Sequence, residues 1–201
     1  MTPPGTRREL LTTGATAAVA GTGLVRAGVA LAAGATTVPE TPEQRLSRLL
    51  SVELLLLFSY QHILGSSLLR PQAQRVLTGF RDHEQAHVHA LEQQLQRQGG
   101  SLPSAPTDVA GADRRLAHRG VAGRLGQLRG PRDAVNLLLD LERVVTGAYF
   151  VALTKLEDTT LIRLATEIMA SEAQHEALIG ELLYHGDAQR AVPYGLIQGQ
   201  Q

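Results

Sequence analysis

Glutamate recurs in this chain in a pattern that leaves the fold little freedom. Glu53 and Glu142 each stand in an apolar stretch, Val52-Glu53-Leu54-Leu55-Leu56-Leu57-Phe58 and Leu137-Leu138-Leu139-Asp140-Leu141-Glu142-Arg143-Val144-Val145. Each is followed by a Glu-x-x-His. Glu84 lies 31 residues after Glu53 and leads to His87, and Glu172 lies 30 residues after Glu142 and leads to His175. Tyrosine repeats in step, since Tyr60 and Tyr149 each come seven residues after their glutamate. Glutamate and histidine three positions apart share one face of a helix. Four carboxylates and two imidazoles on four helices make the ligand set of a dinuclear metal site inside a helix bundle. A lone glutamate in an apolar stretch is more often the polar edge of an amphipathic helix, but six residues recurring in register are not explained that way.

Proline and glycine punctuate the chain at the intervals such a bundle needs. Thr41-Pro42-Glu43-Gln44 predicts a helix start, with threonine as cap, proline in the first turn and Gln44 closing a capping box. That helix is expected to run to about Leu69, where Pro71 breaks it, and a second to run from Pro71 to Gln98, stopped by Gly99-Gly100. Residues 101–130 carry Pro103, Pro106 and five glycines and read as irregular, with one or two short helices such as 108–118. A third long helix is expected from Pro131 to about Glu157, and a fourth from about Thr159 to His185, stopped by Gly186. The tail, 187–201, reads as loosely held. The fold class is therefore all-α: two antiparallel hairpins joined by one long crossover, with the bundle over residues 41–186. Each glutamate lies roughly 14–17 residues from its hairpin turn, so at about 1.5 Å of rise per residue all four meet near mid-bundle.

Composition narrows the chemistry. Among 201 residues there is no cysteine, so disulfides, thiolate metal sites and cysteine nucleophiles are excluded. A metal would be held by oxygen and imidazole, which suits iron, manganese or zinc. Nineteen basic residues balance nineteen acidic ones, and nothing points to nucleic acid. Aromatics make up 3% and tryptophan is absent, so the core is aliphatic. Burying four carboxylates without partners costs several kcal/mol each. Two divalent cations would supply +4 against their −4, so a metal-free core should be strained or its carboxyls partly protonated.

The N-terminus reads as a targeting segment, residues 1–35. Thr6-Arg7-Arg8-Glu9-Leu10-Leu11 gives a basic region, a mildly apolar stretch follows to about Ala33, and Ala30-Leu31-Ala32 or Ala33-Gly34-Ala35 offers small residues for cleavage. The arginine pair resembles that of a twin-arginine export signal, a route that carries folded proteins; an ordinary Sec signal or an uncleaved anchor is the alternative reading. Export places the mature chain in the periplasm, the cell envelope or outside the cell. No other stretch is apolar and long enough to span a bilayer, so no stable membrane span is expected after signal removal.

His83-Glu84-Gln85-Ala86-His87 also spells the zinc-protease motif, with two histidine ligands and Glu84 as general base. The second repeat has Ser171 where His83 stands, so that reading does not extend to it. His83 is expected beside the ligands or partly exposed, and His62, His89, His118 and His185 at the surface. Tyr60 and Tyr149 share the ligand face of their helices. They read as core tyrosines with a hydrogen-bond partner, or as donors to a ligand carboxylate. Gly147 allows close helix packing or opens a way toward the metals.

Phe80-Arg81-Asp82-His83-Glu84-Gln85-Ala86-His87-Val88-His89-Ala90-Leu91 resembles the second bundle helix of exported bacterial ferritin-like domain proteins, a group similar to plant desiccation-related proteins. Met169-Ala170-Ser171-Glu172-Ala173-Gln174-His175-Glu176-Ala177-Leu178 resembles their last helix. The resemblance covers roughly residues 41–186 and implies a ferritin-like four-helix bundle with a diiron-carboxylate site. It implies two iron ions, held by Glu53, Glu84, His87, Glu142, Glu172 and His175, and oxygen or peroxide chemistry. Bacterioferritin-like members often carry an aspartate just before the Glu-x-x-His. Here those positions are His83 and Ser171, so the surroundings of the histidines differ. Three functions follow as expectations: a diiron oxidoreductase or ferroxidase, a manganese catalase using a similar ligand set, or a non-catalytic metal-binding or stress-related bundle. A homo-oligomer is compatible with any of them, and iron-core storage would require a closed cage.

Overall fold

A computed structural model describes residues 40–192, and the expected export signal and the end of the tail lie outside them. The described residues are all-helical. Four long helices, α1 (Pro42–Leu64), α2 (Pro71–Arg97), α4 (Pro131–Leu153) and α5 (Thr159–Tyr184), are accompanied by two short ones, α3 (Val109–His118) and α6 (Ala188–Ala191). α1 packs on α2 and α4 on α5 as hairpins, and α1 against α4 makes the main contact between the hairpins. None of these helices is long and apolar enough to cross a membrane.

Local chemistry sets most helix ends. Thr41 caps α1 through a capping box: its hydroxyl accepts from the Gln44 amide at 3.3 Å, and its own amide donates to the Gln44 side chain at 2.9 Å. α2 ends on Gly99 at φ +73°, where the Gly100 and Gly99 amides donate to the Leu95 and Gln96 carbonyls, both at 2.9 Å. The expected end of α1 is corrected, because the helix stops at Leu64 rather than near Leu69. Gly65-Ser66-Ser67 are poor helix residues, the Ser66 hydroxyl donates to the Ile63 carbonyl at 2.6 Å, and the Gln74 amide of α2 takes the Leu64 carbonyl at 3.1 Å. α4 likewise ends at Leu153 rather than near Glu157. Thr154 donates to the Val151 carbonyl at 2.7 Å, and Arg45 of α1 holds the Lys155 carbonyl at 2.7 Å.

The crossover is more ordered than its glycines and prolines imply. α3 is capped by Asp108, buries Ala112 and Leu116 and packs on α1. Asp113 of α3 accepts from the Leu125 amide at 2.7 Å, fixing a 3₁₀ turn at Leu125–Gln127. The tail is also corrected in part. α6 packs against α5, and Ala191 sits so close to Gly180 that a Cβ there would strike its backbone.

The core is aliphatic. Leu50, Leu55, Leu56, Leu91, Leu95 and Leu138 are fully buried, joined by Tyr60 and Tyr149. Deleting one such leucine side chain would cost about 2–5 kcal/mol. These apolar layers lie along the same helices as the four glutamates.

Candidate metal centre

All six repeated residues converge. Glu53, Glu84, Glu142 and Glu172 are completely buried, His175 is almost so, and His87 is half-buried. One carboxylate comes from each long helix, because each lies on the inward stripe of its helix near the middle of the bundle. Two overlapping groups of donor atoms result. Glu53, Glu84, His87 and Glu172 form one, and Glu84, Glu142, Glu172 and His175 form the other; within each, ligand atoms lie within 4.8 Å of one another. Glu84 and Glu172 belong to both, so they stand where a carboxylate would bridge two ions. Glu53 and Glu142 stand at the outer ends.

Each histidine aims Nδ1 inward. His87 Nδ1 lies 2.8 Å from Glu172, 3.3 Å from Glu84 and 4.0 Å from Glu53. His175 Nδ1 lies 3.0 Å from Glu84, 3.2 Å from Glu172 and 3.6 Å from Glu142. Three positions along a helix bring each ring over its own glutamate, at the 3.3 and 3.2 Å of these contacts. The closest approaches, His87 to Glu172 Oε1 and His175 to Glu84 Oε1, lie off the hydrogen-bond direction and leave both oxygens without a hydrogen bond.

The tyrosines cross the bundle. Tyr149 of α4 donates to Glu53 Oε1 of α1 at 2.5 Å, and Tyr60 of α1 donates to Glu142 Oε1 of α4. The pairing of 53 with 149 and 60 with 142 requires α1 and α4 to run antiparallel. Each outer carboxylate thus has one oxygen fixed by a phenol from the opposite hairpin, and its other oxygen is buried without a hydrogen-bond partner among the described residues.

One oxygen of each carboxylate, on Glu53, Glu84, Glu142 and Glu172, is buried without a hydrogen-bond partner among the described residues. Four orphaned anionic oxygens around two inward imidazoles are a poor metal-free core and a good cation cage. The residues present therefore fit a pair of metal ions. The electrostatics agree. Burial, then Glu172 and Glu84, hold the Glu53 carboxyl well above the usual carboxylate range. Burial and Glu172 push Glu142 up to about 8. Burial opposes charge on His87, but Glu172 and Glu84 outweigh it and push this imidazole up to about 9. His175 is likewise pushed up to about 12, its burial outweighed by Glu142, Glu172 and Glu84. All four shifts have one sense: without metal, the clustered carboxylates favour holding protons, where cations would otherwise balance their charge.

His83 falls outside both donor groups. It is exposed, and its Nδ1 lies 3.0 Å from Nε2 of His175. With His175 Nδ1 turned to the carboxylates, its Nε2–H donates to His83, an imidazole where a carboxylate is the usual orienting partner. The zinc-protease reading is thereby corrected, because His83 and His87 do not face one site and Glu84 is itself among the inward oxygens. His89 lies exposed and pairs with Gln93 at 2.7 Å.

Glu176 was not signalled by the repeat. It is buried, accepts from the Thr146 hydroxyl at 2.6 Å, and lies 3.8 Å from Arg143. Burial raises its pKa, and Glu142 adds to the shift. Its counterpart in the first repeat is Val88 and that of Thr146 is Leu57. The only trace in the sequence is a second acid directly after His175 in an otherwise apolar run.

The sequence matches the family model described as a ferritin-like domain over residues 29–185. No curated protein and no solved structure matches the chain.

Proposed function

The chain belongs to the ferritin-like domain family, and from that premise we propose that it is a dinuclear metal protein, holding two iron ions, with ferroxidase or oxygen- or peroxide-linked oxidoreductase activity. The single observation carrying this reading is the convergence of four buried carboxylates, each with an orphaned oxygen, around two inward Nδ1 atoms. Glu53, Glu84, His87 and Glu172 would hold one ion, and Glu84, Glu142, Glu172 and His175 the other. When bound, a pair of irons supplies two one-electron changes in one site, enough to reduce oxygen to hydrogen peroxide or hydrogen peroxide to water, with ferrous iron as the electron source. Manganese is the alternative occupant that the same oxygen and imidazole donors accept.

The chain's own residues supply the rest. Tyr149 and Tyr60 donate to Oε1 of Glu53 and Glu142, fixing the orientation of each carboxylate. His83 holds the His175 ring in place through its Nε2. The surrounding leucines exclude bulk water, which strengthens every charge interaction in the site. Glu176, held by its bond from Thr146 and with its pKa raised by burial, adds a carboxyl beside Glu142.

Ferrous iron added anaerobically to metal-free protein, then mixed with oxygen, tests the activity. Oxygen uptake at two irons per chain is expected. A rate unchanged by Glu84→Ala together with Glu172→Ala would sink the reading. Full loading with no reaction toward oxygen or peroxide would leave a non-catalytic metal-binding bundle. The Arg7-Arg8 pair supports a further proposal, export by the twin-arginine route to the periplasm or cell envelope. Retention of the protein in the cytoplasm of a host with a working twin-arginine pathway would contradict it.

A further inference from the structure

On the outer side of α1 and α4, where they meet the end of α3, lies a groove of about 610 Å³. That volume falls within the roughly 300–1,000 Å³ of small-molecule sites. Its rim is cationic, with Arg45 and Arg48 from α1, Arg119 from the end of α3 and Lys155 after α4, and His118 lies beside them. One acid, Glu40, faces them, and it is engaged by both Arg45 and Arg48. Arg45 is further tied to the Glu40 and Lys155 carbonyls at 2.6 and 2.7 Å, so its role is structural. Among the described residues Arg119 reaches only the Ser51 hydroxyl at 3.2 Å and the Arg115 carbonyl at 3.4 Å. Among the described residues neither Arg119 nor Lys155 makes an ion pair. Burial and the neighbouring Arg115 both pull the Arg119 pKa down, as expected where positive charge is not compensated. The floor, by contrast, is apolar: Leu49 and Val52 of α1, with Val144, Ala148 and Val151 of α4. Gly147 lies between them.

An apolar trough under a cluster of cations selects for a molecule with both characters. We infer that this groove binds a single-chain amphiphilic anion of the long-chain carboxylate class, its chain along the apolar floor and its head between Arg48, Arg119 and Lys155. None of these residues belongs to the metal cluster, so the site stands or falls independently of the proposed metal chemistry.

Calorimetric titration of the full chain, metal-free and metal-loaded, tests it with monomeric dodecanoate. One dodecanoate should bind per chain in both forms, and decanoate roughly tenfold more weakly, from the two methylenes lost. Dodecanol should bind more weakly still, and dodecyltrimethylammonium not at all. Arg48→Gln with Arg119→Gln should weaken dodecanoate about tenfold, as expected for losing charged hydrogen bonds. Ala148→Trp should abolish binding by filling the floor. If Ala148→Trp fails to give native helical circular dichroism, exposed Arg48→Gln alone should still weaken the carboxylate and leave dodecanol unchanged. No dodecanoate binding, equal binding of the cationic analogue, dodecanoate affinity untouched by these substitutions, or binding only to anionic phospholipid vesicles would each overturn the assignment.

Discussion

Tyr60 and Tyr149 each fix one oxygen of an otherwise unpartnered buried carboxylate across the bundle. Tyr149→Phe leaves both Glu53 oxygens without a donor. The metal-free protein should lose about 1–3 kcal/mol, read by denaturant unfolding, with a smaller loss when metal is bound, because a cation then satisfies the inward oxygen. Equal losses in the two forms would argue against cation binding at Glu53. Glu84 and Glu172 stand in both donor groups, so Glu84→Gln should lower metal stoichiometry from two per chain to one or none, measured by elemental analysis after dialysis. The six inward residues were legible in the sequence because a period repeated in register survives without knowledge of the fold. The partners of the tyrosines were not, since spacing along one helix places Tyr60 near Glu53, whereas the bond is to Glu142 on another. Glu176 was hidden for a different reason: the repeat is broken there, with Val88 in the matching place.

At the scale of elements, starts were easier to read than stops. Prolines and caps at Thr41, Pro71 and Pro131 fix helix starts through a constrained φ or a side-chain bond, which are local facts. The ends of α1 and α4 are set by Gln74 and Arg45, which reach the final turns from other helices and cannot be read from a local window. The same holds for α6. Its sequence is short, and it is held by close docking against Gly180, by the Arg190 guanidinium over the Tyr184 ring and by the Asp187 cap. Gly180→Leu should therefore displace α6 while leaving the four long helices intact. Hydrogen exchange should show residues 188–191 losing protection, with little change in the amides of α1 and α4. Unchanged protection of 188–191 would show that the contact is not what orders them.

For the whole molecule, the central quantity is the charge buried at mid-bundle. In the metal-free protein Glu53, Glu142, His87 and His175 all have folded pKa values above their ordinary ones. A group raised on folding contributes stability that is complete below its unfolded pKa and is lost as pH rises through its folded one. Glu142 loses its share as pH rises from about 4.5 through about 8, and His87 from about 6.5 through about 9. All four act in the same sense, so metal-free Tm should fall steadily between about pH 5 and about pH 9. The metal-loaded protein should behave oppositely in acid, since protons compete with the ions for the same carboxylates and imidazoles. Melting curves across that range, with and without metal, should converge near pH 5 and diverge toward pH 9. A metal-free Tm that rises with pH would contradict the buried-charge assignment.

The most direct measurement is anomalous diffraction from crystals of the metal-loaded full chain, collected at the absorption edges of iron and manganese. Two peaks per chain are expected between α1, α2, α4 and α5, one flanked by Glu53 and His87, the other by Glu142 and His175, with Glu84 and Glu172 between them. No peak there, a single peak, or peaks only at the protein surface would contradict a dinuclear centre.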